Sequence, residues 1–234
     1  MGDRTTYRLD DGIATITMDD GKVNVLSSQM LADLKVALDQ AAADHAVVVL
    51  TGRPGIFTAG FNLPELQAGG PHAQSMLTAG FELAEQLLSF PTPVVIACPG
   101  HAIAMGVFLL LSGDYRVGTA GSFKIVANEV AINMTMPWTA IEICRQRLAP
   151  AHFVRAVTLA EVYSPEGALA AGFLDQIVET DQLADTAREV ATRLATLSPG
   201  AHSATKLRLR HETLLAIREA IEADADTFGA AESA

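Results

Sequence analysis

Glu129 is the only carboxylate in the stretch Asn128-Glu129-Val130-Ala131-Ile132-Asn133-Met134-Thr135-Met136-Pro137, where its neighbours are largely apolar. Burial in such surroundings disfavours the ionised carboxyl group and raises its pKa, which tunes a glutamate to take and return protons near neutral pH. The same residue could be a partly exposed loop acid or one side of a structural ion pair. Two other segments bear on that choice. Phe57-Thr58-Ala59-Gly60-Phe61-Asn62-Leu63 follows an apolar run and the turn Gly52-Arg53-Pro54-Gly55, and its small residues and glycine let backbone N–H groups point into open space. Taken alone it also reads as an ordinary strand-to-helix loop. Pro99-Gly100-His101-Ala102-Ile103-Ala104-Met105-Gly106-Val107-Phe108 takes a strand into a small-residue turn and then an apolar helix through Leu111. A helix N-terminus offers unpaired amides and a positive dipole end, a ready site for a developing oxyanion. His101, in the turn, reads as a structural or hydrogen-bonding residue rather than a base, and Met105 as a packing residue.

The elements that must hold these groups are legible in the hydrophobic pattern. Residues 13–18 alternate after the turn Asp10-Asp11-Gly12, and 46–51 and 94–98 are continuous apolar runs, as core strands require. Between them, 28–42 carry a helical stripe behind the cap candidates Ser27 and Ser28. A second helix is expected over 73–89, ended by Pro91 and Pro93. Strands alternating with helices imply parallel pairing with right-handed crossovers, an α/β arrangement. From Pro137 onward 139–148, 151–160, 165–171, 180–197 and 204–223 all have helical periodicity. An α/β region over 1–136 and a helical region over 137–234 follow, too interleaved to read as independent domains.

Composition narrows the function classes. The chain has 234 residues, 50% hydrophobic and 18% charged, with a formal net charge of -11. That charge argues against a nucleic-acid surface, because phosphate binding needs a basic stripe. Cys98 and Cys144 sit in apolar segments without metal-ligand or redox spacing, as reduced cysteines of a cytoplasmic protein do. No metal site is expected. The N-terminus is polar and the apolar stretch 101–112 is interrupted by Gly106, too short for a membrane span of roughly 20 residues.

The order Phe-Thr-Ala-Gly-Phe-Asn-Leu, then Gly-His-Ala-Ile-Ala-Met-Gly-Val-Phe-Leu-Leu-Leu-Ser-Gly-Asp-Tyr-Arg, then Asn-Glu-Val resembles the enoyl-CoA hydratase/isomerase, or crotonase, superfamily. Residues 19–26 resemble the family's early loop beside CoA, and Ala170-Ala171-Gly172-Phe173-Leu174-Asp175 its Ala-x-x-Gly-Leu-Val-Asp segment. The resemblance implies a crotonase-like spiral of β-β-α units with a C-terminal helical trimerisation region, a trimer or a hexamer of stacked trimers. It implies an acyl-CoA thioester substrate, no cofactor beyond that CoA, and an oxyanion hole of backbone N–H groups from Phe61 and Met105. It puts Lys22, Ala59 and Lys206 at positions that meet CoA, and Phe108, Asn128 and Trp138 around the acyl pocket.

Two departures matter. The family usually has glycine where Met105 stands. Hydratases of the family carry a glutamate where this chain has Phe108, and use it with the acid matching Glu129 to activate water. One carboxylate suffices to lift a proton from the alpha carbon and return it at the gamma carbon, so the pattern looks like single-glutamate Δ3,Δ2-enoyl-CoA isomerases. An enoyl-CoA hydratase and a non-catalytic acyl-CoA-binding homologue are the alternatives. Among other acids, Asp114 reads as a helix-end or ion-pair residue, Glu142 and Arg145 as a helical pair, and Glu82 and Glu85 as the solvated face of the second helix, a stand-in second acid from there being the lesser alternative.

Overall fold

A computed structural model describes residues 4–230. The chain opens with a hairpin, β1 (Thr5–Asp10) and β2 (Ile13–Met18), paired antiparallel. Its turn residues Asp11 and Gly12 both have positive φ, 49° and 73°, the geometry that short hairpin turns demand. The polar N-terminus therefore adds a strand that its composition does not announce. Helix α1 (Ser28–Ala43) follows, capped by the Ser27 hydroxyl, which accepts from Met30 N–H at 3.2 Å.

Three β-β-α turns come next. The first is β3 (Val47–Thr51), β4 (Gly55–Thr58), the short α2 (Leu63–Gln67) and α3 (Gly70–Ser89). The second is β5 (Val94–Cys98), β6 (Gly100–Ile103) and α4 (Met105–Ser112). The third is β7 (Tyr115–Thr119), β8 (Ile125–Val126), a 3-10 turn at Val130–Ile132, and α5 (Trp138–Arg145). In each turn the first strand joins a large sheet and the second a small one. The large sheet runs β1-β2-β3-β5-β7-β9 and the small one β4-β6-β8, parallel throughout. This is the crotonase spiral that the resemblance implies. Residues 100–103, expected as a turn, form a strand instead.

The C-terminal half is helical: α6 (Pro150–Thr158), α7 (Pro165–Ala171), α8 (Leu183–Ala195), α9 (Pro199–Leu209) and α10 (His211–Ala230). The helix expected over 204–223 is two helices broken at Arg210, and residues 180–182 are a 3-10 turn ahead of α8. This half also returns β9 (Gln176–Val178) to pair with β7 in the large sheet. Alternate residues of β3 and β5 show why the halves belong together. Val48, Leu50, Val94 and Ile96 point into the main core, while Val47, Val49, Val95 and Ala97 pack under Leu183, Ala187, Val190 and Ala191 of α8. A strand buried on both faces is apolar at every position.

Helix α10 is tied to the core by a cap contributed across the chain. Buried Asp224 accepts from the N–H groups of Trp138 at 2.9 Å and Thr139 at 3.0 Å and from the Thr139 hydroxyl at 2.8 Å. A carboxylate there also meets the positive end of α5. Asp224→Ala should lower stability by about 1–3 kcal/mol. Unchanged urea unfolding would show that this cap contributes nothing.

Candidate active site

The small parallel sheet decides which loops meet. Thr58 of β4 pairs with Ala102 of β6, and Ile103 of β6 with Val126 of β8. Phe61, Met105 and Glu129 each follow two or three residues beyond these pairs, so three adjacent strands deliver all three at their carboxyl ends. Neighbouring strands lie roughly 4.8 Å apart, and crevices beyond strand carboxyl ends are where open α/β sheets bind ligands.

The first two loops are pressed together. A Cβ on Gly60 would stand 2.9 Å from Ile103 O and 3.3 Å from Met105 N, and one on Gly106 2.8 Å from Thr58 O. Glycine is required at 60 on a second count, a φ of 87°. Phe61 sits in a bridge to Leu26 whose two hydrogen bonds run from Leu26 N–H to Gly60 O, 2.8 Å, and from Asn62 N–H to Leu26 O, 3.2 Å. The Phe61 N–H is left over. Across the contact, Ala104 holds φ 51° and ψ -122°, a strained conformation for a non-glycine residue. Its N–H is fixed on Val126 O at 2.9 Å and its carbonyl on Val107 N–H at 2.8 Å. That posture starts α4 with the Met105 N–H unbonded at the helix's positive end.

Glu129 leads the 3-10 turn after β8, and its carbonyl accepts from the N–H groups of Ile132 and Met134. The side chain is 6% exposed, and its Oε2 is buried with no partner. Burial pushes the carboxyl up from its ordinary 4.5 to about 7. Neighbouring Asn128 likewise has a buried Oδ1 with no partner. Two adjacent residues with orphaned buried acceptors, at the carboxyl end of β8, suit a ligand's donors or protons. The structural ion-pair reading of Glu129 fails, since no salt bridge reaches it among the described residues. A cavity of about 420 Å³ is lined among others by Leu63, Leu66, Ala73, Leu77, Ile132 and Met134, the last two shortly after Glu129 in the chain, while Glu129, Phe61 and Met105 are not among its lining residues.

The remaining expected site residues scatter. Phe108 is sealed in the core at 1% exposed, stacked on Phe81, which meets Phe61 edge-on at 6.0 Å. It shapes the site only through that aromatic row and is no cavity wall. Trp138 is 60% exposed, a correction with a simple cause. The buried face of α5 is Thr139, Ala140, Ile143 and Cys144, which leaves Trp138 on the stripe shared with exposed Arg145. Lys206 is also corrected: it is buried, its ammonium held by the Asp114 carboxylate at 2.6 Å, so it is no free cation for a phosphate of CoA. Lys22 is exposed, in a loop whose N–H groups at 22, 24 and 25 are gathered by the Asp20 carboxylate. Ala59 donates its N–H to Val23 O at 3.0 Å. His101 accepts from Lys124 N–H at 2.9 Å. Glu85 is engaged by Arg218, and Glu82 and Glu85 line a separate groove with α1. Glu142 pairs with Arg145.

Sequence reading missed Asn24 and Gly80. Fully buried Asn24 donates from Nδ2 to Met18 O and Phe57 O, and its carbonyl accepts from the Thr58 hydroxyl, which locks the early loop to β4. An asparagine between two valines was the available signal. Gly80 on α3 lies against the site: a Cβ there would stand 2.5 Å from the Phe61 ring and 3.6 Å from Met105 Cε. A glycine inside a helical pattern was its signal.

With this geometry in hand, comparison with known proteins is informative. The enoyl-CoA hydratase/isomerase family profile matches residues 8–234. The mitochondrial enoyl-CoA delta isomerase 1 of Rattus norvegicus is 29% identical over 222 residues, 93% of this chain and 77% of that protein. The crystal structure of the probable enoyl-CoA hydratase EchA3 of Mycobacterium tuberculosis H37Rv is 48% identical with a TM-score of 0.95, covering 99% of this chain and 98% of that one. An apo structure described as an enoyl-CoA isomerase from the same species is 47% identical with a TM-score of 0.92, covering 97% and 99%. The chain belongs to the enoyl-CoA hydratase/isomerase family. Its relatives are enzymes acting on enoyl-CoA thioesters, under both activity names.

Two outcomes are expected. Because the folded state holds the Glu129 proton more tightly than the unfolded chain, the charge costs stability. That cost starts as pH rises past the ordinary glutamate value and is complete above about 7. Glu129→Gln should therefore stabilise the protein at pH 8, by at most roughly 3 kcal/mol, and change little at pH 4. Equal urea midpoints for variant and parent at pH 8 would contradict a buried acid. Gly80→Ala should cost about 1–3 kcal/mol through the Phe61 contact, and the added Phe61→Leu change should recover part of it. Strict additivity in that cycle would mean the two side chains do not touch.

Proposed function

We propose that the chain is an enoyl-CoA isomerase that moves a double bond within an enoyl-CoA thioester by proton transfer through Glu129. The observation that carries this reading is one buried, unpartnered carboxyl beside two loops with free amides, with Phe108 where a hydratase keeps its second acid. The Glu129 carboxylate takes a proton from the alpha carbon of a 3-enoyl thioester. The electron pair left behind delocalises into a dienolate, whose oxygen the N–H groups of Phe61 and Met105 hold. Glu129 then returns the proton at the gamma carbon, and the double bond ends conjugated with the thioester. No atom is gained or lost, so the site needs no water.

A pKa near neutrality suits both halves of that cycle, since the group must give up the proton it takes. The aromatic row Phe61, Phe81 and Phe108 supports the reading, because an apolar wall leaves nothing to orient a water. Removing one oxyanion donor typically costs ~2.7–4 kcal/mol of transition-state stabilisation, so the pressed loops matter as much as the acid. The mitochondrial enoyl-CoA delta isomerase 1 of Rattus norvegicus, 29% identical to this chain, supports the reading, while the Mycobacterium tuberculosis relative carries both the hydratase and the isomerase name. The substrate is the only carrier of CoA in this scheme, and the resemblance carries with it a homotrimer or a hexamer.

Glu129→Gln should lower kcat for 3-enoyl-CoA to 2-enoyl-CoA conversion by at least about a hundredfold, with acyl-CoA affinity retained. The parent's kcat/KM should rise as pH climbs through about 7 and then level, because the base must be ionised to act. Rapid formation of 3-hydroxyacyl-CoA from crotonyl-CoA would overturn the proposal in favour of a hydratase. Tight acyl-CoA binding without turnover of any enoyl isomer would overturn it in favour of a binding protein.

A further inference from the structure

A second cavity, of about 680 Å³, opens at the far end of α4 from Met105, with Asp114, Gln146, Arg147, His202, Lys206 and Arg210 on its walls. Three of these are cations and one is a carboxylate. Lys206 and Arg210 are 5% and 6% exposed, and both lean on Asp114, at 2.6 Å and 3.0 Å. That carboxylate also accepts from Val94 N–H at 2.8 Å. Arg147 has no acid of its own: its Nη2 donates to the carbonyls of Gly113 and Asp114. Behind the wall Arg116 is matched by Asp175 at 2.5 Å, so that pair neither adds to the excess nor relieves it.

Buried charges are normally matched, because an unpaired ion in a low-dielectric interior is costly. Two helix C-termini provide part of the match. Leu88 O near the end of α3 accepts from Arg210 Nη1 at 2.6 Å, and Arg147 meets the carbonyls just past α4. Each helix end supplies roughly half a negative charge, which leaves about one positive charge uncompensated. The strain on the cations is visible in their protonation. Burial first, then the repulsion of Arg210 and Arg147, lowers Lys206 to about 8, although Asp114 works against it. Burial, then Arg116 and Arg210, lowers Arg147 to about 10. Two nitrogens of these side chains, Arg147 Nε and His202 Nε2, are buried without a partner. The hydroxyl residues Ser198, Thr205 and Thr213 and the apolar Leu197, Ala201 and Leu209 complete the lining.

We propose that this cavity binds a small tetrahedral oxyanion of the sulfate or phosphate class, at a site separate from the thioester site. The anion supplies the charge that Asp114 cannot. Charge-assisted bonds to guanidinium groups are strong, and the guanidinium of Arg147, which has no acid of its own, matches such oxyanions in shape. In a chain of net charge -11, an anion is held only where cations are concentrated locally. The inference does not depend on the isomerase reading, since α4, eight residues long, separates the cavity from Met105 by roughly 10 Å.

The full chain, titrated with sulfate against chloride at matched ionic strength, should show a saturable rise in Tm and a saturable heat of binding. Arg147→Gln should weaken sulfate about tenfold or more. Should that variant fold poorly, Thr205→Glu keeps the test alive: exposed Thr205 lines the cavity, so a carboxylate there should raise Tm without sulfate and abolish its effect. No saturable response in the parent overturns the proposal, and so does equal sulfate binding in parent and both variants, the mark of an adventitious ion only. Competition between sulfate and the adenosine 3',5'-bisphosphate portion of CoA would show that the anion belongs to the substrate, overturning a separate site. Loss of self-association on adding sulfate, seen by light scattering, would overturn it by showing that a carboxylate of a second copy fills the cavity.

Discussion

Contact between the loop at Gly60 and the turn at Ala104 governs the site, because it is made by backbone and cannot be adjusted by repacking side chains. With 2.9 Å between a would-be Cβ at 60 and Ile103 O, no larger residue fits. With φ of 87° at Gly60 and 51° at Ala104, neither segment relaxes into an ordinary strand exit. The positive φ at Ala104 stores strain of order 1–3 kcal/mol, which the bonds to Val126 O and Val107 N–H hold in place. Those bonds in turn depend on β6 lying between β4 and β8 in register. The small sheet is therefore less a piece of core than a jig, setting the spacing between two amides and one acid.

The acid fits into that jig for electrostatic reasons. A carboxylate with an unpartnered oxygen at 6% exposure is costly in the resting protein, and its raised pKa expresses that cost. Asp224, the buried acid that ties α10 to α5, has both carboxylate oxygens engaged by donors. Glu129, at the strand ends, has an oxygen with no partner. Phe108 extends the contrast, since an aromatic packed against Phe81 puts no ionisable group at that position of α4.

Much of this was legible in the chain, and the misses share a cause. The long strands at 46–51 and 94–98, the helix ended by Pro91 and the acid among apolar residues at 129 are local signals, carried by composition and period over several residues. The two- to four-residue strands β4, β6 and β8 have too few positions to show a period, so residues 100–103 read as a turn. Strand β1 hides for another reason: it lies at a sheet edge and alternates polar side chains outward. Trp138 and Lys206 went astray because a family position fixes where a backbone passes, not where a side chain points. The stripe of α5 turned the indole outward, and a carboxylate 92 residues distant in sequence took the ammonium. Long-range pairing of that kind leaves no mark in either segment by itself.

Helix α4 ties the two ends of the molecule's chemistry together. All eight of its residues are buried, so neither of its ends can be satisfied by water, and each must find partners within the protein. At the N-terminus the amide of Met105 is left without one, and in the proposed reaction this positive end of the dipole meets the oxygen that becomes negative. At the C-terminus the problem is reversed. Leu111 O accepts from Gln146 and Gly113 O from Arg147, so cations gather where the dipole is negative. The Asp114 carboxylate, which follows α4 directly, then draws in Lys206 and Arg210 from the far end of the chain. One fully buried helix therefore accounts both for the free donor at the reactive end and for the concentration of positive charge at the other. The apolar residues that made it look like simple core are the reason that both ends are charged sites.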